Sequence, residues 1–174
     1  MHSWDPEIEK RLQGLLANHQ AAKDGWTSPE GQGLLRHASE TLTTAARAHF
    51  GGTLAGKLVA ECGMDAAGGA MSMAALWHGA AFLGIDADAE RIKRHIRAGF
   101  CDYLVTDFRE AVRILRSAVH AARPVSVGLH ADPSSVLAEM IRWGVVPDLL
   151  IDFSPGNAPL RLELKRWGAT LLHE

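Results

Sequence analysis

The sequence predicts an α/β fold: a Rossmann-like, doubly wound parallel sheet in a three-layer α/β/α arrangement, with two N-terminal helices ahead of it. Three observations lead there. From residue 57 onward, short apolar runs alternate with stretches of helical period, the texture of repeated βα units. Runs such as "AFLGID" at 81–86 and "DLLIDF" at 148–153 are almost continuously apolar, as strands covered on both faces are. The first run, in "KLVAECGMDAAGGAM" at 57–71, breaks at Gly63 and reopens through Gly68 and Gly69 into a helical stretch. That is the order of strand, tight loop and helix in a dinucleotide-binding unit.

Residues 5–20 place Ile8, Leu12, Leu15 and Leu16 on one helical stripe. "KDGWTSPEG" interrupts it, and Pro29 after Ser28 marks a second helix start. That helix is predicted over 29–48, with Leu34, Leu35, Leu42 and Ala45 inward. "FGGTLAG" at 50–56 is a turn. Strands follow at 57–62, 81–86, 101–106, 125–130 and 148–153, with helices at 68–79, 88–98, 107–122 and 132–143. Parallel strands joined through helices imply right-handed crossovers. The closing "PLRLELKRWGATLLHE" reads as either a strand or a helix at the sheet edge. The expected division is an N-terminal helical segment, residues 1–50, packed on a Rossmann-like core, residues 51–174. The length suits a single compact domain. The two N-terminal helices are expected to pack on the sheet or against a partner subunit, which leaves a homo-oligomer open.

Composition excludes several classes. With 47% hydrophobic and 22% charged residues the chain can bury a core, and a net charge of −2 offers no basic excess for nucleic acid. The apolar runs fall short of the roughly 18 residues a membrane span needs. The polar, acidic start "MHSWDPEIEK" is unlike a signal peptide. A cytoplasmic protein without nucleic-acid or membrane partners is expected. Cys62 and Cys101 lie in strand-like runs and read as buried, reduced thiols. Without CxxC or HxxxH spacing they make no zinc site. His78, His95 and His120 fall in predicted helices without i, i+4 partners and read as surface or packing residues.

Ligands of such folds bind beyond the carboxyl ends of the strands. The residues there are Gly63, Asp65, Ala66, Ala67, Gly68 and Gly69 after the first strand, and Asp86 and Arg91 after the second. His130 and Asp132 follow the fourth strand, and Ser154 the fifth. Asp86 stands 23 positions past Gly63, near the spacing of an acid that holds a ribose diol; a capping role for the helix after it fits as well. The loop reads GxDxxG, with Asp65 where a second glycine is usual. A helix N-terminus favours an anion by about 0.3–1 kcal/mol, up to about 2 when partly buried. A carboxylate about 4 Å from a phosphate charge opposes it by about 4 kcal/mol at an effective dielectric of 20. A diphosphate therefore needs Asp65 turned outward or a bridging cation. S-adenosylmethionine, cationic at sulfur, is the ligand an acidic loop offends less, so a methyltransferase-like reading stays open.

The flanking residues carry a longer pattern. "GQGLL" at 31–35, "ETLTTAARAHFGGTLAGKLV" at 40–59 and "GGA" at 68–70 come in order with "ERIKRHIRAGFCD" at 90–102, "TDFREAV", "SVGLH" and "GVVPDLLID". In this order and nearly ungapped spacing the chain resembles the central NAD-binding domain of urocanase (urocanate hydratase), from about residue 17 to 160. The resemblance implies a Rossmann-like domain set in a larger catalytic body, where bound NAD⁺ serves as electrophile toward urocanate. It implies cofactor contacts at Gln20, Ala66, Ala67, Gly68, Asp86, Arg91, Asp132, Pro133 and the 153–157 segment. The departures fall on the cofactor rim: "GMDAAGG" stands for the family's "GLGGMGG", and "ADPSS" for "GNAAE". The family's large C-terminal body with its catalytic cysteine has no counterpart before residue 174. The expectation is a free-standing domain that binds a dinucleotide of the NAD type, or another small nucleotide or metabolite, without complete hydratase chemistry. The alternatives are a lyase of the urocanate hydratase type or a subunit of a split one, and an interaction module that has lost its ligand. No catalytic residue and no metal ligand is assigned.

Overall fold

The computed structural model describes residues 29–64 and 66–172, together with Pro6, Lys10 and Gln13; for Ala66, Ala67 and Gly68 it describes the backbone. Among the described residues, helix α1 (Pro29–His49) precedes six βα-alternating strands: β1 (Leu58–Cys62), α2 (Ala66–Trp77), β2 (Ala81–Asp86), α3 (Ala89–Arg97), β3 (Tyr103–Val105), α4 (Phe108–His120), β4 (Val125–His130), α5 (Pro133–Trp143), β5 (Leu149–Ile151), α6 (Ala158–Arg166) and β6 (Thr170–Leu172). A short 3₁₀ turn, Pro155–Asn157, leads into α6. The predicted helix at 5–20 lies almost wholly outside the described residues; Pro6, Lys10 and Gln13 are helical and exposed.

All six strands are parallel, in the order β3-β4-β2-β1-β5-β6. The ambiguous C-terminal stretch supplies both elements, α6 and then the edge strand β6. The helices divide between the two faces. Residues of α1, α2 and α3 (Leu42, Met73, Ile92) share one core with Val59 and Phe82. Residues of α4, α5 and α6 (Leu115, Met140, Leu164) share the other with Ala60 and Leu83. This is the doubly wound, three-layer arrangement, and it follows from strands with apolar residues at both parities. β2 is buried along its whole length, whereas the edge strands β3 and β6 are only partly covered.

Local chemistry sets the ends. Asp88, Asp107 and Asp132 cap α3, α4 and α5, each carboxylate accepting a hydrogen bond from an N–H in the first turn. Pro133 opens α5 and Gly144 closes it in the left-handed conformation at φ 67°. The strand predicted at 101–106 contracts to three residues, because Asp102 is engaged by Ser126 first: its carboxylate accepts the Ser126 N–H at 2.8 Å and its own N–H donates to the Ser126 carbonyl at 2.9 Å. The predicted strand at 148–153 contracts to 149–151 for a similar reason. Asp148 spends its carboxylate on the Leu58 N–H at 2.8 Å, and Asp152 turns toward Arg161 at 2.9 Å.

Candidate functional site

A crevice opens in a doubly wound sheet where adjacent strands send their helices to opposite faces. This strand order produces two. β1 and β5 are neighbours, yet α2 covers one face and α6 the other. β2 and β4 are neighbours, yet α3 and α5 diverge in the same way. Both crevices sit at the carboxyl edge, where the candidate residues were expected.

The loop after β1 is bound from two sides. Gly63 adopts φ 90° and donates its N–H to the Ile85 carbonyl at 2.7 Å. A side chain would strain that backbone, although a Cβ there would meet no atom within 4 Å. Among the described residues, open space therefore lies against the main chain at Gly63. Met64 follows, fully buried. Its N–H donates to Asp86 Oδ2 at 2.7 Å, and its carbonyl accepts from His95 Nε2 at 2.8 Å. A carbonyl cannot donate, so Nε2 of His95 carries a proton.

Asp86 ends β2 and is nearly closed off, with 4% of its side chain exposed. Oδ1 accepts from the Asp88 N–H at 2.7 Å; Oδ2 accepts from Met64 and from Arg91 Nη1 at 3.4 Å. A carboxylate offers about four acceptor sites; three are taken. The helix cap is Asp88 rather than Asp86. Arg91 lies between the two carboxylates, 3.5 Å from Asp88 Oδ2, with 42% of its side chain exposed. His130, opposite Asp86 in the register, is exposed and donates from Nε2 to the Ala87 carbonyl at 3.0 Å.

The second crevice gathers other groups. Asp152, buried beyond β5, pairs with Arg161 at 2.9 Å and accepts the Ser154 N–H at 3.1 Å. Arg161 also donates to the Ser154 carbonyl. Ser134, in the first turn of α5, donates to Asn157 Oδ1 at 2.7 Å. Asp132 is occupied as the cap of α5, accepting from the Ser135 N–H and hydroxyl at 3.0 Å. Burial pushes the Cys62 thiol well above the ordinary range, and the charges of Asp152 and Glu61 push it further. It is a poor nucleophile at neutral pH.

Of the residues singled out in the sequence, Asp86, Arg91 and His130 stand at the carboxyl ends of β2 and β4, and Gly63, after β1, lies on the other side of β2. Ser154 and Asp132 belong to the second group. Ala66, Ala67 and Gly68 form the first turn of α2, and Gly69 is buried behind them. Gln20 and Asp65 lie outside the described residues. Sequence reasoning read His95 only as a surface or packing residue and missed Asp152 and Arg161. The signal for His95 was its place three residues after Ile92 on the apolar face of α3. For Asp152 and Arg161, nine positions apart, no periodic signal exists. Among the described residues, no three His, Cys, Asp or Glu side chains gather as a metal site, and no helix is long and apolar enough to cross a membrane.

A family model, the urocanase Rossmann-like domain, matches residues 30–161. The match runs from the first turn of α1 to Arg161 and takes in both crevices. By that extent, the chain belongs to the urocanase family through its Rossmann-like domain.

Proposed function

We propose that this chain is a nucleotide-binding module that holds a dinucleotide of the NAD type along the carboxyl edge of its sheet and does not by itself hydrate urocanate. The urocanase Rossmann-like domain is a family that binds NAD. The observation that carries the reading is the space that the described residues leave free against the Gly63 backbone, in a tight turn between β1 and α2. A diphosphate needs that close approach to main chain.

The surrounding side chains assign themselves unequal parts. Asp86 retains about one acceptor site for a ribose hydroxyl, and its larger part is to hold the Met64 N–H and the Asp88 turn. Arg91, exposed and held between Asp86 and Asp88, is the group free to swing onto a phosphate or ribose oxygen. Bound NAD⁺ would supply the electrophile in the family's chemistry; the residues of this chain bind and orient. Cys62, the thiol nearest the crevice of β1 and β5, stays protonated and supplies no nucleophile.

The test is thermal unfolding with NAD⁺, NADH, S-adenosylmethionine or urocanate added singly. NAD⁺ at 100 times its Kd is expected to add about 2.7 kcal/mol, a rise of roughly 5–10 °C for a chain of this size. Arg91→Ala is expected to lose most of that shift. A response to S-adenosylmethionine alone would move the chain to the methyltransferase-like class. Loss of urocanate absorbance in the presence of NAD⁺ would move it to the lyases.

A further inference from the structure

Between α4 and α5 lies a trough that starts near the amino ends of β1 and β5 and runs along α4; none of the crevice residues named above lines it. Its inner part, about 230 Å³, has Leu58 and Leu83 of the sheet as lining, with Val119 and Val146 beside them. Its outer part, about 450 Å³, is lined by Phe108 and Trp143 and by Arg109, Arg113 and Arg116. Both parts share Val112, Arg116 and Val145 as walls, so they adjoin. The outer part by itself has the size of a small-molecule site, and such sites combine an apolar lining with a few charged groups.

The charge is one-sided. α4 presents Arg109, Arg113 and Arg116 to the trough at intervals of four and three residues, the spacing of one helix face. Arg109 and Arg142 stand 5.0 and 5.5 Å from the centre of the Trp143 ring, which is 48% exposed. Four carboxylates lie nearby, of which Asp107 is occupied as the cap of α4, accepting the Arg109 N–H at 2.8 Å. Glu110 reaches Arg113 only at 4.0 Å, Glu139 accepts the Trp143 indole N–H at 3.0 Å, and Asp148 is committed to the Leu58 N–H. The cations outnumber the carboxylates available to them. An apolar interior with a guanidinium rim is complementary to a molecule with an apolar body and an anionic head.

We propose that this trough binds a small amphiphilic organic anion, its apolar chain or ring directed toward Leu83 and Val145 and its carboxylate against Arg113 and Arg116. Guanidinium forks match carboxylates in geometry as well as charge, and Trp143 supplies a flat apolar wall.

The experiment titrates decanoate into the intact chain, below its micelle-forming concentration, by calorimetry and tryptophan fluorescence. Decanol and acetate serve as the uncharged and the tail-less controls. Saturable decanoate binding is expected, with each control at least about tenfold weaker, a difference of about 1.4 kcal/mol. The double variant Arg113→Ala/Arg116→Ala is expected to lose about tenfold for decanoate, again about 1.4 kcal/mol, and nothing for decanol. Both arginines are exposed, so an unchanged urea midpoint shows that the variant folds. Trp143→Phe is expected to remove the fluorescence response. Equal affinity for decanol, insensitivity to the double variant, or displacement of decanoate by NAD⁺ would each overturn the proposal. So would concentration-dependent dimerisation abolished by Trp143→Phe, which would give the trough to a second copy.

Discussion

Asp86 and the two cysteines show how burial reassigns a residue. The spacing from Gly63 marks Asp86 as a ribose acid, and the position at the end of β2 agrees with that. Yet the carboxylate faces inward, where unmet backbone N–H groups would be costly, and it holds Met64 and Asp88 in place. The cysteines carry a prediction. Burial lifts the Cys101 thiol from 9.0 to about 11, with its contacts to Ser126 and Tyr103 acting the other way, and the Cys62 thiol is lifted further. The folded chain thus holds both protons more tightly than the unfolded chain. Their stabilisation is full below the unfolded thiol value, near about 8.5, and is lost as pH rises toward the folded values. Urea midpoints are expected to hold steady to about pH 8.5 and then fall. A Cys62→Ala/Cys101→Ala variant should show a shallower fall over the same window. Equal slopes would mean that neither thiol contributes.

Elements in this fold meet through glycines that the sequence offers without explanation. Gly84, in the middle of β2, lies under Met64: a Cβ there would come within 2.4 Å of the Met64 sulfur. Gly128 of β4 lies under Ile92 in the same way, at 2.4 Å from its Cγ2. The loop after β1 and helix α3 thus rest directly on the sheet. Gly84→Ala is expected to cost about 1–3 kcal/mol by overpacking. Met64→Ala in that background should cost less than it does alone, a coupling of at least about 0.5 kcal/mol in a double-mutant cycle; strict additivity would show that Met64 can move aside. Element type was legible here because a strand covered on both faces and an amphipathic helix differ in period. The ends were less legible. Whether a strand stops at residue 151 or 153 depends on whether Asp152 finds Arg161, a contact that periodicity does not encode.

Across the whole molecule, burial falls from the centre of the sheet outward. β1, β2, β4 and β5 are buried over most of their lengths; β3 and β6 are three-residue edge strands, partly covered. Amide exchange is expected to be slowest in β1, β2 and β4, approaching the global unfolding free energy, and faster in β3 and β6 through local opening. Uniform protection across the sheet would contradict that gradient. The carboxyl-edge position of the candidate residues Gly63, Asp86, Arg91 and His130 was legible, because loops after parallel strands fall on one edge. Their division between two crevices was not. It depends on β4 inserting between β2 and β3.

By itself the sequence determined the layer architecture, the sense of the crossovers and the family. These depend on residue periodicity and order along the chain, and each segment carries them locally. Only the tertiary structure decided the strand order, the inward turn of Asp86, the clamp of His95 on Met64 and the pairing of Asp152 with Arg161. Each of these joins positions that are distant in sequence or face opposite ways. Which partner a polar side chain meets is set by competition among all the buried groups around it, and that competition exists only once the layers have closed.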